Sequence, residues 1–181
     1  MLKQRLVDLF LHVKDSITSL LKLRSLVIVL LILSIPSVLV ASLVKEIRFS
    51  PNKSNGTEVV KYINEAKSSL LIEAYALTSE EITEGIRKAK KRIKDVRIVC
   101  DKANFKKANN LCKDVKGKPD NKSGLMHNKV IIRDGECVLT GSFNFTDNAI
   151  KNNRENFLII CDKEIAKTYT EEFEKIWKNN T

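Results

Sequence analysis

The stretch HNKVIIRDG, residues 127–135, followed closely by GSFNF, residues 141–145, decides the fold of this chain. Side chains alternate between the two faces of a β-strand, so His127 and Lys129 are expected on the same face. The apolar residues interleaved with them would point to the opposite face and be buried. The first stretch therefore predicts a strand that presents an imidazole and an ammonium group side by side.

A tight turn is expected at Asp134-Gly135, because Asp-Gly between apolar runs is a strong hairpin signal. The return strand, residues 136–139, would bring the Ser142 hydroxyl and the Asn144 amide back toward the imidazole. A nucleophile or general base, a fixed positive charge and two neutral hydrogen-bonding side chains suit the cleavage of a phosphodiester.

The order H-x-K-x4-D-G followed by G-S-x-N-F resembles the phospholipase D superfamily. The resemblance is to the branch with a single motif, which contains small endonucleases and cardiolipin hydrolases, and it covers roughly residues 47–177. It implies an α-β-α sandwich around a mixed sheet. It also implies a metal-independent phosphodiesterase that needs no cofactor.

The resemblance assigns a role to each motif residue. His127 would be the nucleophile in one subunit, forming a phosphohistidine, and the general acid in the other subunit. Lys129 would neutralise the phosphate oxygens as a point charge. Ser142 and Asn144 match the phosphate-contacting pair, and Glu155 matches the acidic residue that orients the imidazole.

Each of these residues also has a purely structural explanation. Asp134 occupies the family's acidic position, but an aspartate beside glycine in a turn is equally well explained by capping of the backbone. Lys129 alone would read as a solvated lysine. Ser142 and Asn144 would cap a following helix, and Glu155 would pair with a nearby basic side chain.

The mechanism requires a general acid in addition to the nucleophile. The chain has two histidines, His127 and His12. His12 precedes an apolar stretch that separates it from the motif. If the second acid is a histidine, it is His127 of another copy, brought close in a two-fold dimer. The resemblance implies the same homodimer, because larger family members carry two motifs in one chain.

Three segments are expected. Residues 25–44 contain no charged side chain, which is long enough for a transmembrane anchor. Residues 1–24 repeat apolar side chains at helical spacing and predict an amphipathic helix on the membrane surface. Residues 45–181 would form the catalytic domain. The basic residues before the span favour an extracytoplasmic catalytic domain; cleavage near residues 40–42 is the alternative.

Strands and helices alternate after the apolar stretch, which predicts an α/β sandwich with helices on both faces of a mixed sheet. A capping box of Thr78 and Glu81 is expected to open the second helix. Residues 115–124 contain glycine and proline and predict a loop. The expected strands are residues 45–49, 70–77, 96–100, the motif hairpin and 157–161, and the expected helices are residues 57–68, 78–92, 105–112, 146–152 and 162–177.

The four cysteines show no C-x-x-C spacing, so they do not indicate a zinc site. Cys100, Cys137 and Cys161 fall on expected strands as small apolar residues. In an oxidising compartment, Cys100 and Cys112 could form a disulfide.

The formal net charge is +10, of which residues 1–44 contribute +3 and the remainder +7. A basic domain favours a polyanionic partner, either nucleic acid or an anionic lipid surface. Cleavage of nucleic acid is the first hypothesis, a phospholipase D acting on phospholipid such as cardiolipin is the second, and a binding module with a vestigial site is the third. Seven lysines would flank the site mouth: Lys102, Lys106, Lys107, Lys113, Lys116, Lys118 and Lys122.

Overall fold

The computed structural model describes His12, Lys14 and residues 16–22 and 43–180, and it divides the chain into two compact units at Ser42. The described part of the first unit is helical, as the amphipathic pattern predicts, and Ile17 and Leu20 are more than half exposed. Almost all of the expected membrane span lies outside the described residues. Among the residues described, no helix combines the length and the apolar character needed to cross a bilayer.

The second unit is built on a seven-stranded mixed sheet with the strand order β1-β7-β6-β5-β2-β3-β4. Strands β2, β3 and β4 are parallel, and the other neighbours are antiparallel. The strands are β1 Val44–Phe49, β2 Ser69–Ala74, β3 Asp95–Asp101, β4 Lys116–Asp120, β5 Lys129–Arg133, β6 Cys137–Gly141 and β7 Asn156–Cys161.

Six helices of this unit are described: α1 Ser54–Asn64, α2 Glu80–Arg92, α3 Lys102–Phe105, α4 Asn109–Asp114, α5 Asp147–Lys151 and α6 Lys163–Asn179. Tyr62 and Ile86 bring α1 and α2 into the larger core together with Ile131 of β5. Phe173 of α6 packs in a second core on the opposite face of the sheet, together with Val130 and other strand residues that point to that face. Helices therefore cover both faces, which confirms the expected α/β sandwich.

Two local predictions are wrong. The segment expected to be a loop at residues 115–124 contains β4, which pairs in parallel with β3. Pro119 is tolerated there because β4 is an edge strand, so one side of its backbone needs no ladder partner. The predicted capping box is not formed. Ser79, not Thr78, is the residue before α2, and its side chain makes no capping hydrogen bond. The Glu81 carboxylate accepts a hydrogen bond from the Thr57 hydroxyl at 2.9 Å.

The disulfide also differs from the Cys100–Cys112 pairing. Cys137 is bonded to Cys161, whereas Cys100 and Cys112 are free and buried. Cys137 and Cys161 are directly opposite each other in the β6–β7 ladder, so strand pairing brings their sulfurs together. The sequence shows which residues are strand cysteines, but it does not show which strands are neighbours.

Candidate active site

His127 lies immediately before β5 rather than within it, because the strand begins at Lys129. Its imidazole is exposed, and its ring centroid lies 4.9 Å from that of Tyr75 in a tilted arrangement. The Tyr75 amide donates to the Asn128 carbonyl at 3.0 Å. The end of β2 therefore holds the start of β5, and it supplies an aromatic surface against which the imidazole rests.

Lys129 is a buried lysine, only 5% exposed, at the start of β5. Its ammonium donates to the His127 carbonyl and lies 5.0 Å from the centre of the Tyr75 ring. Burial lowers the pKa of Lys129, and the nearby charge of Glu155 opposes that shift. The structural alternative of a solvated strand lysine therefore does not describe this residue.

Strand pairing brings the second sequence block to the same end of the hairpin. Val130 of β5 pairs with Thr140 of β6, so Gly141 and Ser142 lie beside Lys129. The Ser142 hydroxyl accepts from the Asn156 amide at 3.1 Å, and the Ser142 amide donates to the Asn156 carbonyl at 3.0 Å. The Ser142 hydroxyl acts as an acceptor in this hydrogen bond, so its own proton remains available for donation to a ligand.

Asn144 follows between two fully buried phenylalanines, Phe143 and Phe145. Its Oδ1 is buried and has no hydrogen-bond partner among the described residues. The next helix is capped by Thr146, whose hydroxyl accepts from the Ala149 amide, so the Asn144 side chain is not needed as a cap. An unpaired buried carbonyl oxygen is an acceptor that a donor group of a ligand would satisfy, whereas the predicted contact with phosphate would use the Nδ2 group of Asn144.

Glu155 precedes β7 and is partly buried. Its carboxylate accepts from the Asn153 side-chain amide at 3.0 Å and acts electrostatically on Lys129. The alternative pairing with Lys151 is not found, because Lys151 is bonded to Asp147. No hydrogen bond joins Glu155 to His127 within the described ranges, so its orienting role stays a prediction.

Asp134 is separated from the other motif residues. It lies beyond the far end of β5, a strand of 5 residues that spans about 17 Å. Its carboxylate accepts from the amides of Lys67, Ser68 and Ser69 at distances of 2.7 to 3.0 Å. Burial raises its pKa, but these hydrogen bonds outweigh burial and the net pKa is lowered. The geometry favours the capping explanation over a catalytic role.

The sequence does not predict one feature beside the motif, a cavity that contains a buried carboxylate. A cavity of about 290 Å³ opens between the sheet and α6, and His127 and Lys129 form part of its lining. Glu73 of β2, only 2% exposed, also lines it and accepts from the Asn128 side-chain amide at 2.7 Å. A carboxylate within an apolar strand was the available signal. Within the described ranges, no group of three potential ligand side chains is arranged to hold a metal ion.

Comparison with known proteins identifies relatives of this arrangement. A family model described as the cardiolipin synthase, phospholipase D-like domain matches residues 59–177. A phospholipase D of Rickettsia prowazekii is 37% identical over 126 residues, which are 67% of this chain and 62% of that protein. The mitochondrial cardiolipin hydrolase of Mus musculus is 33% identical over 132 residues, 70% of this chain and 60% of that protein. The matched part therefore spans less than two thirds of either curated protein.

Among solved structures, Nuc of Salmonella typhimurium, described as a phospholipase D family member, matches with a TM-score of 0.70 and 31% identity. The match covers 75% of this chain and 95% of the Nuc chain. The similarity therefore extends over the whole sheet rather than the motif alone, and the resemblance seen in the sequence is confirmed.

Asp134 provides a test of the capping assignment. Replacing Asp134 with Ala should lower the free energy of unfolding by about 1–2 kcal/mol, because three backbone amides lose their acceptor. Asp134→Asn keeps an oxygen acceptor and tolerates the positive φ of 58° at this residue, so its loss should be smaller. Urea denaturation measures both. Either variant should turn over substrate at close to the wild-type rate, and a large fall in kcat for folded Asp134→Asn would restore the catalytic role.

The lowered pKa of Lys129 predicts a pH dependence. A lysine must be protonated to neutralise phosphate, so kcat/KM should fall on the alkaline side below the usual lysine value of about 10.4. In Lys129→Arg the charge persists to higher pH, so the alkaline fall should move upward even if kcat/KM is lower throughout. Exposed Lys167→Arg is the matched control. If the fall of kcat/KM at high pH occurs at the same pH in Lys129→Arg as in the wild type, a group other than Lys129 causes it.

Proposed function

This chain belongs to the phospholipase D superfamily, and we propose that it is a metal-independent phosphodiesterase that cleaves nucleic acid through a phosphohistidine intermediate. The observation that carries the chemistry is the position of His127, buried Lys129, the Ser142 hydroxyl and the Asn144 side chain at one end of the β5–β6 hairpin. Glu155 adds a negative charge beside Lys129.

The proposed reaction has two displacements at phosphorus. A ring nitrogen of His127 attacks, forming the N–P bond as the bond from phosphorus to the leaving oxygen breaks. A second imidazole gives its proton to that oxygen and then takes a proton from water. The water attacks phosphorus, the N–P bond breaks, and free imidazole and a phosphomonoester result. Lys129, Ser142 and Asn144 would stabilise the charge on the non-bridging oxygens throughout.

The second imidazole is proposed to come from another copy of the chain. His127 is the one histidine of residues 43–181, and His12 belongs to the other compact unit. The exposure of His127 supports this proposal, because its ring is accessible to a second subunit. In a two-fold dimer, the two copies of His127 would face each other across one scissile phosphate.

Charge supports nucleic acid as the substrate. Of the seven lysines named from the sequence, Lys118 is half-buried and rests 4.4 Å over the Trp177 ring. The other six are exposed, and none of them takes part in a salt bridge among the described residues. Unpaired surface lysines bind phosphates by releasing counterions, without requiring a particular sequence.

The sheet register supports this proposal, because part of this charge lies at the edge of the sheet that carries His127. Ala74, Cys100 and Pro119 are aligned across β2, β3 and β4, so these three strands end at the same edge. That edge also carries His127, because Ala74 pairs with Lys129. Lys102 follows β3, and Lys122 lies in the segment that leads from β4 to His127. A phosphate chain lying along this edge would meet both lysines before reaching the imidazole.

Phospholipid is the second candidate substrate. It is favoured by the names of the curated relatives, phospholipase D and mitochondrial cardiolipin hydrolase. The uncharged residues 25–44 support an anchored enzyme, with the catalytic unit on the extracytoplasmic side or released there by cleavage. The Cys137–Cys161 disulfide agrees with an oxidising compartment.

A direct comparison of substrates tests the proposed function. The full chain in detergent is incubated with labelled single-stranded DNA, single-stranded RNA and cardiolipin vesicles, each with and without EDTA. Cleavage of nucleic acid that EDTA leaves unchanged is expected, and His127→Ala should abolish it while unfolding at the wild-type temperature. Turnover of lipid alone would select the second candidate, and loss of activity in EDTA would refute the metal-free mechanism.

Mixed subunits test the shared site. Wild type and His127→Ala are co-expressed in equal amounts, so that about one quarter of random dimers carry both imidazoles. If each site needs both, the specific activity should be about one quarter of the wild-type value; if each chain acts alone, it should be about one half. Co-expression with His12→Ala, which changes the other histidine, is the control and should keep full activity.

A further inference from the structure

The cavity between the sheet and α6 is lined in part by His127 and Lys129, and it extends from them to Glu73. Glu73 and Val130 pair across β2 and β5, and both point toward α6. The remaining walls carry one amide and three hydroxyl groups, from Asn128, Thr140, Thr168 and Tyr169. A substrate group in this cavity would lie close to a phosphate held at His127, because His127 is part of the lining.

The two carboxylates of the cavity disfavour phosphate beside Glu73. Its described lining includes two carboxylates, Glu73 and Glu172, and one lysine, Lys129. The Lys129 ammonium is turned to the His127 carbonyl and the Tyr75 ring. Glu172 is exposed and paired with Lys175 at 3.2 Å, so Glu73 is the deep negative group. A phosphate chain is therefore better accommodated along the lysine edge of the sheet, which leaves the part of the cavity beside Glu73 for another part of the substrate.

Glu73 requires a hydrogen-bond donor. It is 98% removed from solvent, and one carboxylate oxygen accepts from Asn128. Burial raises the pKa of Glu73, with Glu172 and Asp120 adding to the effect and the Asn128 hydrogen bond opposing it. A ligand N–H group at the carboxylate would offset the cost of keeping this charge out of water.

The size of the cavity limits the ligand. A volume of about 290 Å³ lies at the lower end of small-molecule pockets, so it accepts one planar ring system and not a strand of nucleotides. Val130 and the Tyr169 side chain provide apolar surface for the faces of a ring. Hydroxyl groups around the rim suit polar ring substituents.

We propose that this cavity is a subsite for the nucleobase next to the scissile phosphate, and that Glu73 selects bases that present amino hydrogens. Cytosine, adenine and guanine each offer an exocyclic amino group to a carboxylate. Thymine and uracil have carbonyl oxygens in place of amino groups, and these oxygens flank their single N3–H donor, so a carboxylate that approaches the donor is repelled on both sides. The enzyme therefore cleaves beside an amino-bearing base in preference to thymine or uracil. This inference rests on the proposed cleavage of nucleic acid.

Cleavage-site sequencing tests the subsite. The full chain digests a single-stranded oligonucleotide with a randomised centre, and the bases flanking each cut are counted. Amino-bearing bases should be enriched about fivefold or more over thymine at one flanking position. Glu73→Gln, which keeps the shape of the side chain, should reduce this enrichment. Glu172→Gln should reduce it less, and Glu171→Gln, an exposed neighbour outside the cavity lining, should leave it unchanged.

The outcomes separate the two proposals. Cleavage without base preference, or a preference that survives in folded Glu73→Gln, would overturn the subsite while leaving the nuclease proposal intact. Should Glu73→Gln fail to fold in thermal melts, the Glu172→Gln digest decides, and an unchanged preference there overturns the subsite. If no oligonucleotide is cut and vesicles containing phosphatidylethanolamine are hydrolysed instead, both proposals fall, and the cavity holds a cationic head group.

Discussion

The antiparallel ladder of β5, β6 and β7 is the constraint on which the site depends. Its register sets Val130 opposite Thr140 and Gly141 opposite Phe157, so the segments that leave the three strands meet at one end. A shift of one residue would turn every side chain to the other face. Gly141 keeps β6 close to β7, because a Cβ atom there would clash with the Asn156 carbonyl and lie 2.8 Å from the Phe157 Cα atom. At the opposite end, the Asp134 carboxylate ties the hairpin turn to the start of β2.

That ladder explains which parts of the structure could be predicted from the sequence. The hairpin, the α/β alternation and the meeting of Ser142 with Lys129 follow from local periodicity and one turn dipeptide. The Cys137–Cys161 disulfide could not be found, because it requires knowing that β6 and β7 are neighbours. The β4 strand was missed because glycine and proline are tolerated at a sheet edge.

The cavity was missed for a different reason. Glu73 falls within an expected buried strand, and nothing in the sequence shows that a cavity remains between this strand and α6. Asp134 shows the opposite case: a motif position invites a catalytic role, and only the hydrogen bonds from residues 67–69 reveal its structural use. Sequence spacing can assign a residue to a strand, but it does not show which end of that strand lies at the active site.

Among the described residues, four charged side chains are buried, and two of them, Lys129 and Glu73, line the cavity beside His127. Lys129 and Glu73 are 5% and 2% exposed, and no salt bridge joins them to each other or to another described residue. Burying a charge without a counterion is costly, and apolar residues at these two strand positions would pack at lower cost. Sites that break the rules of stable packing are typically functional. Glu73 pairs with Val130, the residue after Lys129, so the two side chains are on opposite faces of the sheet. In the proposed enzyme, Lys129 would attract phosphate and Glu73 would receive the base.

In the proposed dimer, symmetry has a consequence for the chemistry. Two identical imidazoles facing one phosphate have the same surroundings, so the protein cannot assign one as nucleophile and the other as acid in advance. The proposed reaction needs one imidazole without a proton on the attacking nitrogen and the other with a proton to give to the leaving oxygen. The direction in which the substrate lies then decides which His127 attacks. An asymmetric substrate, with a base in one of the two cavities, would remove the equivalence and fix the roles for each turnover.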